Sequence, residues 1–293
     1  MRREDYPDLF QSADKASVTA QNKFVRMFSA DLACIIGASV LAVCRAIVPS
    51  GLANIFGIAV PFLLGVSLIV KLTMRARRFD SVWFDCRAVA ESVKTTVWRF
   101  LMAIHPYDQS TPDDVAETRF LLELDTIRRA RPAVSGELAS FPVATGRITP
   151  IMKETRRLNL VERKAFYLAH RLSDQRTWYR SNAKANADAA ETIFRVTLVI
   201  QALAIIVLLF QMEAPQGPNT VAVFTTAIAV VTAWSEMRKY RDLTNSYAVA
   251  ADELVSAEAK WTHVDREELF QEQVLQIEEA ISREHTMWCA KRT

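Results

Sequence analysis

From Leu32 to Cys44, Ala46 to Val70, Val196 to Met212 and Ala214 to Ser235 the chain contains no Asp, Glu, Lys, Arg or His. A helix that crosses a bilayer needs ~20 consecutive apolar residues to span a ~30 Å hydrocarbon core, and there every backbone N–H and C=O must be satisfied within the segment. A water-soluble domain can hide one such run; four of them in two close pairs describe membrane helices. With 51% hydrophobic residues the chain is also too apolar for a disordered tail.

Each pair reads as a hairpin. The first leaves over about 32–48, turns at Pro49-Ser50-Gly51 and returns over about 52–70; the second leaves over about 193–212, turns between Glu213 and Asn219 and returns over about 220–235. Lys71, Arg75, Arg77 and Arg78 follow the first hairpin and Arg238, Lys239 and Arg241 the second, while neither turn holds a Lys or Arg. The positive-inside bias then puts both termini and the long middle segment in the cytosol. The expected organisation is a cytosolic N-terminal arm at 1–31, a transmembrane hairpin at 32–70, a cytosolic helical segment at 71–192 with a loop near 132–150, a second hairpin at 193–235, and cytosolic C-terminal helices at 236–293. The first 30 residues lack the apolar core and small-residue cleavage site of a signal peptide, so they read as a retained arm.

The net charge of +3 is the difference between 36 basic and 33 acidic residues. Basic residues beside membrane spans follow from orientation alone, and no nucleic-acid partner is expected. Cys34 and Cys44 fall in the first span and Cys86 and Cys289 in charged flanks, which is no disulfide framework.

Outside the spans the periodicity is helical, and the fold class is an all-α membrane protein whose four transmembrane helices continue into long cytosolic helices. A helix continuous with the second span runs through Trp83 and Trp98 to about Ala103. After the break at His105 to Asp108, Thr111 reads as the cap and Pro112 as the first residue of a helix ending near Arg131, before Pro132. Helix resumes near Ile151 and carries Tyr167, Trp178 and Tyr179 toward the second hairpin. Tyr247, Ala250, Leu254, Ala257, Trp261 and Val264 lie three and four residues apart, one stripe along a helix. Asp265 and Glu268 read as a capping box, and the next stripe is Phe270, Val274, Ile277, Ile281 and Trp288. Trp83, Trp98, Trp178, Tyr247, Leu254, Trp261, Ile281 and Trp288 are the expected helix-packing residues, and such stripes need a partner surface, either other cytosolic helices or another copy in a homo-oligomer. Both hairpins are followed by a basic cluster and a Trp-bearing helix, the organisation of an internal duplication.

No two histidines stand at ligand spacing, and there is no Gly-rich phosphate loop or nucleophile elbow. No catalytic residue, metal or cofactor is expected, and the chain does not read as an enzyme. Arg128, Arg129 and Arg131 close one helix and Lys153, Arg156 and Arg157 open the next across the loop. They are candidate binding residues for an anionic ligand such as a nucleotide, against the plainer reading of a solvated basic face. Thr220, Thr225, Thr226 and Thr232 are candidate pore-lining hydroxyls, against the plainer reading of Thr bonded to its own helix. A four-span protomer is too thin to enclose a hydrated path, so a pore requires a ring of copies.

Tyr167, Arg171-Leu172, Asp174-Gln175, Trp178-Tyr179 and Lys184 before the second hairpin, with Ile281, Glu284-His285 and Trp288 in the closing helix, resemble the SLATT family. These are two-transmembrane effector domains found beside SMODS nucleotide synthases and SLOG sensors. The first half, with Trp83, Arg87, Glu91 and Trp98 beyond its hairpin, resembles a more diverged copy, so the chain looks like a tandem pair. The resemblance implies a multi-pass protein of the bacterial inner membrane that forms a pore or disrupts the bilayer in antiphage or conflict defence. Its trigger would be a cytosolic nucleotide signal or sensor protein. The alternative is a non-conducting oligomeric scaffold or signalling partner.

Overall fold

The computed structural model describes residues 1–143, 145–213, 218 and 220–290, with the side chains of Glu213 and 283–290 left out of the description. Among the described residues there is helix and no strand. The long apolar sequence is carried by α1 (Asp8–Cys44), α2 (Ser50–Arg77), α8 (Ser173–Glu213) and α9 (Val221–Arg238). The remaining helices are α3 (Phe79–Leu101), α4 (Asp113–Arg129), α5 (Ser135–Ala139), α6 (Pro150–Arg156), α7 (Leu160–Tyr167), α10 (Tyr240–Trp261) and α11 (Glu267–Ala290).

Contacts divide the chain into two compact units. One comprises Met1–Gln21, Asp80–Lys184 and Leu243–Thr293; the other comprises Asn22–Phe79 and Ala185–Asp242 and holds the charge-free windows. The N-terminal arm is therefore no loose segment: helix starts at Asp8 and runs without a break into the first window.

In the apolar unit α1 and α2 touch at successive levels. Asp31, 4% exposed, accepts from the Ser67 hydroxyl at 2.5 Å and lies 3.5 Å from the Lys71 ammonium. Further along, the Arg45 guanidinium rests over Gly57, where a Cβ would come within 3.2 Å of it. A glycine is what allows that approach. The Ser39 hydroxyl donates to the Ala222 carbonyl, so α9 also lies against α1. Among the described residues three helical stretches are long and apolar enough to cross a membrane, Asp8–Cys44, Ser50–Leu101 and Leu160–Met212. The fourth expected span, on α9, is not among them: Glu236 and Arg238 in the last turn of that 18-residue helix lower its hydropathy. The turn expected between Glu213 and Asn219 lies mostly outside the described residues.

Both returning helices end in the same way, which periodicity alone did not predict. The expected continuous helix from the second span to Ala103 is broken at Arg78, whose backbone is left-handed (φ 46°, ψ 45°) and whose N–H bonds the Met74 carbonyl. Lys239 repeats this (φ 56°, ψ 38°), with its N–H on the Ser235 carbonyl. A left-handed residue closes a helix C-terminus, and Gly normally supplies it because a Cβ there costs ~1–2 kcal/mol. Here a basic residue takes the position instead, adding a cation where the helix carbonyls favour one. An aromatic residue, Phe79 or Tyr240, then begins the next helix. The shared elbow is a structural mark of the duplication.

In the polar unit α3 is the central element: Cys86, Ala90, Val93, Val97, Trp98, Phe100 and Leu101 are all fully enclosed. Trp261, Phe270, Val274 and Ile277 of α10 and α11 join the same core. The start of α4 differs from expectation. Pro112 takes the cap position with extended backbone and the helix begins at Asp113, which leaves Thr111 one residue too far out for a capping bond. The loop expected from 133 to 150 contains a 3-10 turn at Pro132–Val134 and the short α5. Burial pushes the Cys86 thiol up to about 12, so a maleimide at pH 7.5 should leave Cys86 unlabelled in the folded protein and label it only after denaturation, as peptide mapping would show.

Candidate functional site

An Asn159–Glu162 capping box starts α7, and the chain then passes through a π-helical turn, Leu168–Leu172, into α8. The wide turn carries Arg171 into the core of the polar unit. Arg171 donates from Nε to Glu278 Oε1 at 2.8 Å and from Nη2 to Oε2 at 2.6 Å, and the Tyr167 hydroxyl donates to the same Oε1 at 2.8 Å. The guanidinium lies 5.8 Å from the Trp98 ring centroid, and Trp98 Nε1 donates to the Tyr6 hydroxyl at 3.1 Å. Arg171 and Glu278 are 2% and 1% exposed. Burial works against the Arg171 charge, but the Glu278 carboxylate outweighs it and holds the guanidinium protonated. Burial likewise pushes the Tyr6 hydroxyl up to about 12, so it stays neutral.

Beside this cluster is a cavity of about 460 Å³, within the range that takes a small molecule. Trp83, Arg87, Glu91 and Lys94 of α3 line one side; Asp174, Gln175 and Trp178 of α8 line another. Tyr247 closes it with Trp178, ring centroids 5.2 Å apart and nearly perpendicular. Arg87 bonds Glu91 at 2.6 Å and lies 3.4 Å from Asp14, which also pairs with Arg3 at 2.8 Å. Lys94 lines the cavity and a second one that continues past it toward Arg3, His170 and Arg171. Burial lowers its pKa from 10.5, and Glu91 opposes that shift.

Three of the basic residues expected to hold an anion are paired with acids. Arg131 pairs with Asp85, Lys153 with Glu117 and Arg157 with Asp113. Arg156 is 4% exposed and spends its guanidinium on main-chain carbonyls of Phe100 and Tyr107. Arg128 and Arg129 are exposed, Arg128 lining a separate cleft with Asp125 and Arg147. The reason is charge balance: these cations follow acids on α3 and α4 that sequence spacing does not reveal. Thr225 and Thr226 bond carbonyls of their own helix, Thr220 Oγ1 is buried with no hydrogen-bond partner among the described residues, and Thr232 is exposed. Trp83, Trp98, Leu254, Trp261 and Ile281 are buried, Trp178 is 41% exposed on the cavity wall, and Tyr247 is half-buried. The side chains of Glu284, His285 and Trp288 lie outside the described residues.

Over residues 7–164 the chain matches the family described as SMODS and SLOG-associating 2TM effector domain 3, and over residues 167–288 the family described as SMODS and SLOG-associating 2TM effector domain 1. The chain belongs to the SLATT family. It is a tandem of two SLATT units, and the junction falls beside Tyr167, the first residue of the motif that carries the resemblance. No curated protein and no solved structure matches the chain. The cavity takes α3 from the first SLATT unit and α8, α10 and α11 from the second, so the motif residues of both units face one space.

Lys94 and Glu278 were missed by sequence reasoning. Each had a signal: Lys94 fills the gap in the helical series Trp83, Arg87, Glu91, Trp98, and Glu278 follows Ile277 at four residues from Val274, an acid on the inner face of an apolar stripe.

Proposed function

We propose that this SLATT tandem is a bacterial inner-membrane effector which, when triggered from the cytosol, assembles into a homo-oligomer that opens a pore or disrupts the bilayer in defence against phage or competing strains. The observation that carries this reading is the match of both halves to 2TM effector domains. The lack of cover over the apolar helices supports it: of their most apolar windows only 17%, 6% and 0% is buried within the chain. Ile58, Phe62 and Phe210 are each about 70% exposed, a surface that only lipid or another copy can cover.

In this reading the spans form two hairpins with both termini in the cytoplasm. The contacts at Asp31 with Ser67 and Lys71, and at Arg45 with Gly57, support the first hairpin, since higher numbers on α1 meet lower numbers on α2. The Ser39–Ala222 bond supports α9 as the fourth leg, sheltered by α1 despite its brief apolar run. The protein acts through assembly and not as an enzyme, on the lipid bilayer, with a cytosolic nucleotide or sensor protein as the trigger.

Purified full-length protein reconstituted in liposomes should release entrapped ions or dye when supplied with the cytosolic nucleotide extract of a stressed cell, and hold them without it. Intact liposomes under both conditions, at protein densities where crosslinking shows oligomers, would favour the non-conducting scaffold instead.

A further inference from the structure

We propose that the elbow closing α2 is a binding site for an anionic phospholipid, with Arg75 and Arg77 taking the headgroup phosphate and Leu68, Ile69 and Leu72 the start of the acyl chains. This concerns lipid recognition alone and holds whether or not the spans conduct.

The argument begins with a difference in charge. The two stretches of the apolar unit end their returning helices through the same elbow, at Arg78 and at Lys239. Between Asn22 and Phe79 there are seven basic residues and one acid; between Ala185 and Asp242 there are four and five. Orientation in a bilayer calls for basic residues beside both stretches, and it does not account for an excess beside one alone.

That excess is unspent. The one acid, Asp31, is buried and taken by Ser67 and Lys71. Arg26, Arg75 and Arg77 are exposed and make no ion pair or hydrogen bond among the described residues. The register of α1 on α2 puts them in one layer: Asp31 meets Lys71 at one level, and about two turns away the Lys23 ammonium lies 5.8 Å from the Phe79 ring centroid. Arg26 falls between those levels on α1, and Arg75 and Arg77 fall between them on α2. At the other elbow the cation is already held. Arg238 lies against the rings of Trp234 and Tyr240, and its Nε donates to the Tyr240 hydroxyl at 3.3 Å.

The surface beside these guanidiniums makes the ligand an amphiphile and not a bare anion. Leu68, Leu72 and Arg75 stand at i, i+4 and i+7, one stripe along α2. Leu68, Ile69 and Leu72 are 57%, 63% and 58% exposed. An acyl chain lying on that stripe brings its phosphate to Arg75, where a guanidinium can offer two parallel N–H donors. The apolar stripe would accept any lipid; the unpaired cations select an anionic one, each worth about a fivefold gain in affinity.

The test is lipid titration of the full-length protein, delipidated in a neutral detergent, with bound molecules counted by native mass spectrometry. Phosphatidylglycerol, phosphatidylcholine with the same chains, and glycerol 3-phosphate are separate probes, the last standing for a soluble phosphate. Phosphatidylglycerol should bind about tenfold more tightly than either of the others. Arg75→Gln with Arg77→Gln should weaken phosphatidylglycerol binding by about tenfold or more, whereas Lys239→Gln with Arg241→Gln, the same loss of charge at the other elbow, should change it by less than about threefold. The first pair should melt within about 3 °C of the parent, because both side chains are exposed. Equal binding of the two lipids, glycerol 3-phosphate binding as tightly as phosphatidylglycerol, unchanged affinity in the Arg75 and Arg77 pair, or an equal loss in the Lys239 and Arg241 pair would overturn the assignment. So would a much lower melting point for the first pair, since those arginines would then be structural.

Discussion

Glu278→Ala is expected to destabilise the polar unit by about 3–5 kcal/mol, the usual cost of leaving one member of a buried ion pair alone. Among the described residues Glu278 is the one acceptor for the Arg171 guanidinium, and it also takes the Tyr167 hydroxyl. Its removal strands a guanidinium that is 2% exposed, beneath Trp98 and away from water. Arg171 stays protonated at any accessible pH, so it has no neutral form in which to escape the penalty. For a unit of this size the loss lowers the thermal midpoint by about 10 °C. Circular dichroism of the full-length protein in detergent would measure it. A double change, Arg171→Met with Glu278→Leu, should recover most of the loss, because apolar residues of similar volume remove the desolvation cost along with the pair. A midpoint within 2–3 °C of the parent for Glu278→Ala would mean that the guanidinium finds water or another acceptor.

Arg156→Met is the second large effect. Arg156 Nη1 donates to the carbonyls of Tyr107 at 2.6 Å and Phe100 at 3.3 Å, Nη2 to that of Asp108 at 3.3 Å, and the guanidinium lies over the Phe100 ring at 5.1 Å. The side chain therefore ties the connection between α3 and α4 to α6. Met preserves the stem but leaves buried carbonyls without donors, at ~1–3 kcal/mol for a group with no substitute. The expected loss is about 2–4 kcal/mol, with faster amide hydrogen exchange confined to residues 101–112. Arg128→Ala and Arg129→Ala, at exposed positions, should stay within about 0.5 kcal/mol of the parent. If Arg156 instead belonged to a ligand site with those two, all three substitutions would leave stability alone.

The legible parts of the chain are those governed by local pattern. The charge-free windows are carried by α1, α2, α8 and α9 over their described residues, the apolar stripes of α10 and α11 face the core, and Pro132 and the Pro49 turn punctuate the helices close to where Pro requires. Boundaries set by a single residue's backbone were less legible. Nothing in the hydropathy of residues 71–103 signals the left-handed Arg78, because the residue type that usually adopts that conformation is Gly and here it is basic. Only the recurrence at Lys239 shows it to be a designed stop.

The candidate site was legible as residue types and not as a place. The motif residues Asp174, Gln175 and Trp178 were visible, as were Trp83, Arg87 and Glu91, but the two groups lie in different SLATT units. Of the basic residues nearest to one another in sequence, around 128–131 and 153–157, Arg131, Lys153 and Arg157 have acidic partners on α3 and α4 that sequence spacing does not reveal.

By itself the sequence determined that this is a helical membrane protein made of two related halves, because crossing lipid demands long charge-free helices and such runs are visible residue by residue. The tertiary structure decided which charges are spent and which are left over. Arg171 and Arg156 are consumed in the core while Arg75 and Arg77 stay exposed with no acceptor among the described residues, and that difference depends on whether an acceptor from a distant helix arrives within ~3 Å, a distance no local spacing encodes.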